Sequence, residues 1–165
     1  MPGTPPTRVL RSTPAGWKMP DGWQTFITFQ NLPGFNVWEK AVKPVGFDGK
    51  EAIDTTTMHN AKYRTFAPRH LQTLTEVTAT CAYDPDIYDP VGVAGGVQGM
   101  INVNQSITLQ FPDHTTITFW GFLMKFELKE HKEGEFPEAD ITVVPTNTDT
   151  TSQEAAPVTT PSVGT

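Results

Sequence analysis

The 165-residue sequence predicts a mainly β protein, a small antiparallel β-sandwich or barrel with at most one short helix. Three observations lead there. Apolar and polar residues alternate with period two through several segments, most clearly at 101–111 and in the return segment 117–130. Convincing helical periodicity is absent. The alternating segments are rich in aromatic and β-branched residues, and proline, glycine and aspartate separate them.

From the N-terminus, residues 1–20 hold prolines at 2, 5, 6, 14 and 20. Proline fixes φ and removes a backbone donor, so this zone reads as an extended arm. Trp17 and Trp23 hint that part of it docks. The fold proper is expected at 21–145. Residues 24–29 supply a first strand. Residues 36–42 alternate, with Trp38, Lys40 and Val42 opposite Val37, Glu39 and Ala41. Residues 75–83 set Val77, Ala79, Cys81 and Tyr83 against Glu76, Thr78 and Thr80, which makes Cys81 a small buried apolar group. A short helix is expected after Asp84-Pro85, where proline suits a first helical position, with Gly92, Gly95, Gly96 and Gly99 ending it.

The segment 101–111 places Ile101, Val103, Ile107, Leu109 and Phe111 on one face. Asn102, Asn104, Ser106, Thr108 and Gln110 fill the other, a polar face long enough to line water. Pro112-Asp113-His114 turns the chain into 117–130. The two strands make a hairpin about 36 Å long at about 3.3 Å per residue, longer than usual. Gly121 interrupts the second strand, which marks either a bulge or bend, or close packing against a bulky neighbour such as Trp120. A last strand spans 138–144 and is closed by Pro145. Residues 146–165 carry no aromatic, lysine or arginine and read as a flexible Thr/Pro-rich tail.

One connection stands out. The loop 43–74 has few strand signals yet carries Ile53, Met58, Tyr63, Phe66 and Leu71. Compact domains seldom hold so long a loop without a use for it. Apolar groups of that size must be covered, by the parent domain or by a neighbour.

Signals for chemistry are weak. His59, His70, His114 and His131 sit far apart, with no helical i, i+4 pair, so no metal site is expected. Asp84, Asp86 and Asp89 lack the glycine and closing glutamate of a calcium loop, and the Asp-Pro pairs mark turns. No nucleophile elbow or phosphate-binding glycine loop is present. Twelve basic against 18 acidic residues give a net charge of −6, a handicap for binding duplex DNA. An oligonucleotide-binding barrel would interleave its aromatics with cations, but Phe119, Trp120, Phe122 and Phe126 come with only Lys125 and Lys129. No run of 18 apolar residues suggests a membrane span, and the first residues do not read as a signal peptide. No enzyme, cofactor or metal is expected.

The sequence resembles the tail tube (major tail) proteins of long-tailed bacteriophages. The likeness lies in VWEKAVKPVGFDGKEAIDTTTM at 37–58, YRTFAPRHLQTLTEVTATCAYDP at 63–85, INVNQSITLQFPDHTTITFWGFLMKFE at 101–127 and EGEFPEADITVVPTNTD at 133–149. The glycine-rich run 91–100 departs from it as an insertion. The resemblance implies a structural virion protein, made in the host cytoplasm and resident in the phage tail. Six copies would form a ring, and stacked rings would form a tube for DNA delivery. Each subunit would give four strands to a continuous barrel around the lumen. Implied partners are other copies of the chain, a tape-measure protein and tail-tip or terminator proteins, while DNA passes through without specific binding. On this reading Ile53, Met58, Tyr63, Phe66 and Leu71 are candidates for contacts between subunits and rings. Asn102, Asn104, Ser106, Thr108 and Gln110 are candidates for the lumen wall. The residues alone leave open a monomeric carbohydrate- or partner-binding β-sandwich of adhesin type, and a hydrolase with an unrecognised carboxylate pair.

Overall fold

A computed structural model describes residues 10–12, 18–20, 25–32, 38–82 and 96–161. In chain order its strands are β1 (Leu10–Ser12), β2 (Lys18–Pro20), β3 (Phe26–Phe29), β4 (Trp38–Lys43), β5 (Phe47–Asp48), β6 (Ile53–Asp54) and β7 (Phe66–Ala67). There follow β8 (Thr73–Leu74), β9 (Val77–Ala82), β10 (Gln105–Gln110), β11 (Thr116–Leu128), β12 (Glu138–Pro145) and β13 (Val158–Thr160). The mainly β, antiparallel class expected from alternation is the class observed. Among the described residues the only helical element is a 3-10 turn, Gln98–Met100. The helix expected after Asp84-Pro85 falls outside the described residues, as do Trp17 and Trp23. Within the N-terminal zone, β1 and β2 pair as a short antiparallel ladder.

The main sheet runs β3-β10-β11-β12-β9-β4, with β13 added beside β11. Its spine is the 13-residue β11. The N-terminal half of β11 pairs with β10, from Thr116↔Gln110 to Gly121↔Gln105. Its C-terminal half pairs on the other side with β12, from Gly121↔Pro145 to Leu128↔Ala139. Between Leu123 and Lys125 the register shifts by a bulge, which bends the strand and increases its twist. The sheet therefore curls over a core of Ile27, Phe29, Val77, Ala79, Ile107, Leu109, Phe119, Leu123, Ile141 and Val143. Val97 and Met100, from around the 3-10 turn, enter that core together with Leu32, Val45 and Leu74.

Among the described residues the sheet is not a closed barrel: no ladder joins its end strands β3 and β4. A side chain spans the gap instead. The Ile27 N–H of β3 donates to Glu39 Oε1 of β4 at 2.8 Å. A bulge between Glu39 and Ala41 makes this possible, because it breaks the simple alternation of β4. Glu39 lies opposite buried Cys81, and Val42 still packs against the core. Burial raises the Glu39 carboxyl above its ordinary value, and the Ile27 N–H only partly offsets this.

Two details refine the sequence reading. First, β10 begins at Gln105, because Ile101–Asn104 is spent on a turn in which Asn102 adopts φ +62°. The Asn102 N–H donates to the Leu123 carbonyl. Second, residues 146–161 are folded rather than a loose tail. Val158–Thr160 pairs with Thr116–Thr118, and the Asp149 carboxylate accepts from the backbone N–H groups of Thr151 and Gln153. Composition misleads here because threonine-rich chain can be ordered through backbone pairing and side-chain turns without burying large apolar groups.

Gly121 is explained by close approach. A Cβ there would lie 2.7 Å from the backbone oxygen of Val144, so β12 forbids a side chain, and the bulge falls further along the strand. Gly121→Ala is expected to destabilise the fold by about 1–3 kcal/mol in denaturant unfolding. Glu39 gives a pH-dependent expectation. Its folded-state pKa is raised above 4.5, so the folded form holds the extra proton, and its contribution falls as pH rises through the window above that value. The stability of Glu39→Gln minus that of wild type should therefore increase with pH across this window in unfolding titrations. A constant difference would contradict the assignment.

Candidate functional site

The segment 43–74 is neither loop nor core. It is an outlying hairpin arm, built from the pairs β5–β8 (Phe47↔Leu74) and β6–β7 (Ile53↔Ala67, Asp54↔Phe66). Its root is anchored where Val45 and Leu74 enter the core. There the Gly46 N–H donates to Thr75 Oγ1 at 2.8 Å and the Thr75 N–H donates back to the Gly46 carbonyl at 2.9 Å. Hydroxyls and amides, not packing, hold the tip. Asn60 Oδ1 accepts from the Thr57 N–H at 2.9 Å, and Asn60 Nδ2 donates to the Tyr63 carbonyl at 3.0 Å. Asp54 Oδ1 accepts from the Thr56 N–H at 2.9 Å, and the Thr55 N–H donates across to the Thr65 carbonyl.

All five apolar residues singled out in this segment are exposed. Met58 is 103% accessible, Leu71 82%, Tyr63 72%, Phe66 59% and Ile53 46%, and Phe47 at the root adds to them. Directly opposed residues in a ladder share a face, so Phe66 shares one face of the arm with Asp54, and Ile53 shares the other with Ala67. Apolar groups therefore stand on both faces, and the parent domain covers neither. A concentration of this kind marks an interaction surface.

The five polar candidates do not stay together. Ser106, Thr108 and Gln110 share the outward face of β10, level with Trp120, Thr118 and Thr116 of β11. There Thr108 and Thr118 hydroxyls hydrogen-bond at 3.0 Å, and Thr28 of β3 lies across from Thr108. The result is an uncharged hydroxyl and amide ladder. Asn102 and Asn104 precede the strand. Asn104 is used internally, its Nδ2 donating to the Thr148 carbonyl and its Oδ1 accepting from Thr146 Oγ1, each at 2.8 Å.

A second polar face, on β4, β9, β12 and the distal half of β11, is charged. Glu138 accepts from Lys40 and Lys129, which hold its carboxyl below the usual range. Burial works against the charge on Asp140, but the Thr80 hydroxyl at 2.7 Å and Lys129 at 3.1 Å outweigh it and keep the pKa low. At the end of this face the turn between β11 and β12 exposes Phe136, 81% accessible, which the sequence reading passed over. Its signal was legible as an aromatic set among Glu133, Gly134, Glu135 and Pro137.

For catalysis the arrangement offers little. Among the described residues no group of three or more His, Cys, Asp and Glu could hold a metal. Cys81 is buried, its thiol donates to the Ala139 carbonyl at 3.4 Å, and burial with the nearby Glu39 charge pushes its pKa up to about 11, so a nucleophilic thiolate is disfavoured. No helix among the described residues is long and apolar enough to cross a membrane.

The sequence matches no protein-family model and no curated protein. The fold, however, is similar to solved structures of assembled particles. A chain in the virion of a native gene transfer agent particle matches at TM-score 0.59 with 9% identity, covering 85% of this chain and 98% of that one. A chain in the tail of an empty gene transfer agent particle, refined helically with C6 symmetry, matches at 0.57 with 11% identity over 85% and 98%. A chain in the six-fold symmetrised baseplate of the anti-feeding prophage matches at 0.57 with 7% identity over 84% and 92%. At these identities the likeness establishes a shared fold, one found in subunits of tail-type particles.

Proposed function

We propose that this protein is a structural subunit of a phage-type tail, polymerising as stacked hexameric rings into a tube that conducts DNA. The observation that carries this reading is the arm beyond its buried root at Leu74, where Phe47, Ile53, Met58, Tyr63, Phe66 and Leu71 stand exposed on the domain. Left uncovered, such a surface is an aggregation liability. A subunit destined for a polymer buries it on assembly. The shared fold supports the reading, since its solved examples include a helical tail and a six-fold baseplate.

In this reading Ile53, Met58, Tyr63, Phe66 and Leu71 reach the adjoining ring, and Ser106, Thr108 and Gln110 line the lumen. An uncharged polar wall wets the channel without the cations that would grip phosphates. Tape-measure, tail-tip and terminator proteins would be the further partners, and the virion tail the location.

Met58→Asp and Phe66→Asp test the arm. Both side chains are exposed, so unfolding free energies should stay within about 0.5 kcal/mol of wild type. Electron microscopy and sedimentation across a concentration series should show tubes for wild type and single subunits or isolated rings for the variants; normal tubes from both would remove the arm from the contact. For the lumen, Thr108→Cys in assembled tubes should react with a small maleimide from the open ends and resist a bulky polymer-linked one. Equal labelling by both reagents would place β10 on the outside.

A further inference from the structure

The arm is not only apolar. Between residues 55 and 72 it carries Lys62, Arg64 and Arg69, two histidines and no carboxylate, a formal charge of +3 within a chain of −6. Among the described residues none of these three cations has a carboxylate partner within salt-bridge distance. Lys62 lies over the Tyr63 ring at 5.5 Å, and Arg69 Nε donates to the Glu51 carbonyl at 2.8 Å. Among the described residues the distal arm thus presents cations and apolar groups side by side without ion-pair partners.

The complementary surface is the turn between β11 and β12. Residues 127–138 hold five glutamates, at 127, 130, 133, 135 and 138, against Lys129 and Lys132, a net charge of −3. Its lysines are already engaged: Lys129 with Glu138 and Asp140, Lys132 with Glu130. Glu133 and Glu135 have no ion pair among the described residues. The turn also holds the exposed Phe136, beside an open depression whose rim carries Glu130, Glu135 and Glu138 together with Lys40, Lys129 and Lys132.

Register places the two surfaces at opposite ends of one sheet. The arm leaves after Lys43 and returns before Val77, at the end where Val143 faces Val77. The acidic turn lies at the other end, where Trp38 and Glu138 flank Ala82. A basic apolar tip at one end and a net acidic turn with an exposed phenylalanine at the other form a head-to-tail pair, which between copies repeats without limit.

We infer that the arm of one copy docks on the 127–138 turn of a second copy, with Lys62, Arg64 and Arg69 facing Glu130, Glu133 and Glu135 and the arm's apolar groups packing beside Phe136. This rests on the tube reading and names the acceptor within it. Charge complementarity sets the register of stacking, and apolar burial supplies most of the affinity. Assembly is therefore salt-sensitive, since exposed ion pairs are screened over about 8 Å at physiological ionic strength.

Charge reversal tests the pairing. Lys62→Glu with Arg64→Glu reverses the arm, Glu133→Lys with Glu135→Lys reverses the turn, and a third variant carries all four. The changes lie on exposed side chains, and thermal melting of each subunit checks the fold. Each reversal alone should raise the subunit concentration needed for tubes at low salt by about tenfold or more, and the fourfold variant should return to within about threefold of wild type. A reversed arm that assembles like wild type, or a fourfold variant no better than its parents, overturns the pairing and leaves the tube reading standing. Wild type that stays as single subunits throughout the series removes both.

Discussion

Everything in the domain hangs on β11, a strand too long for one flat sheet. Its first half pairs with β10 and its second half with β12, and the bulge between Leu123 and Lys125 turns the one direction into the other. The core residues of both halves converge because this strand bends. Gly121 sits at the crossover, where it is paired on both sides and where the Val144 backbone comes too close for a Cβ. Both ladders meet at this one residue, so the close approach of β12 is tied to the curl of the whole sheet.

From that bend follow the surfaces. Among the described residues no ladder closes the curled sheet, and a half-buried carboxylate links its two end strands. Glu39 accepts from Ile27 at the cost of being desolvated, an arrangement that links the ends. The same curl sends the arm out from one end of the sheet and the acidic turn from the other. The faces between them differ in character: hydroxyls and amides on β10, interlocked lysines and carboxylates on β4, β9, β12 and distal β11. These are the properties that the proposed subunit role calls for. The fold shared with chains of helical and six-fold particles belongs with that description.

Much of this was legible in the residues. Period-two alternation located β3, β4, β9, β10, β11 and β12 within a few positions, because a half-buried strand must alternate. Cys81 read as a buried apolar group for the same reason. The apolar content of 43–74 announced a surface in need of cover. Other features were hidden. Local pattern extended β10 back through 101–104, where a turn stands, since Ile101 and Val103 mimic strand alternation. The threonine-rich end looked unable to fold because composition measures side-chain burial and not backbone pairing. Asn102 and Asn104 looked like partners of Ser106, Thr108 and Gln110, but a positive φ at one and the bonds of the other to Thr146 and Thr148 separate them.

By itself the sequence determined the strands, their buried faces and the presence of an uncovered apolar segment, all of which are encoded locally in side-chain periodicity and composition. Only the tertiary structure decided that no ladder closes the sheet among the described residues, that Glu39 bridges its ends, that Gly121 is held by β12 and that the basic arm and the acidic turn lie at opposite ends. Those depend on bulges and strand order, which bring together residues distant in sequence, and no local pattern carries that information.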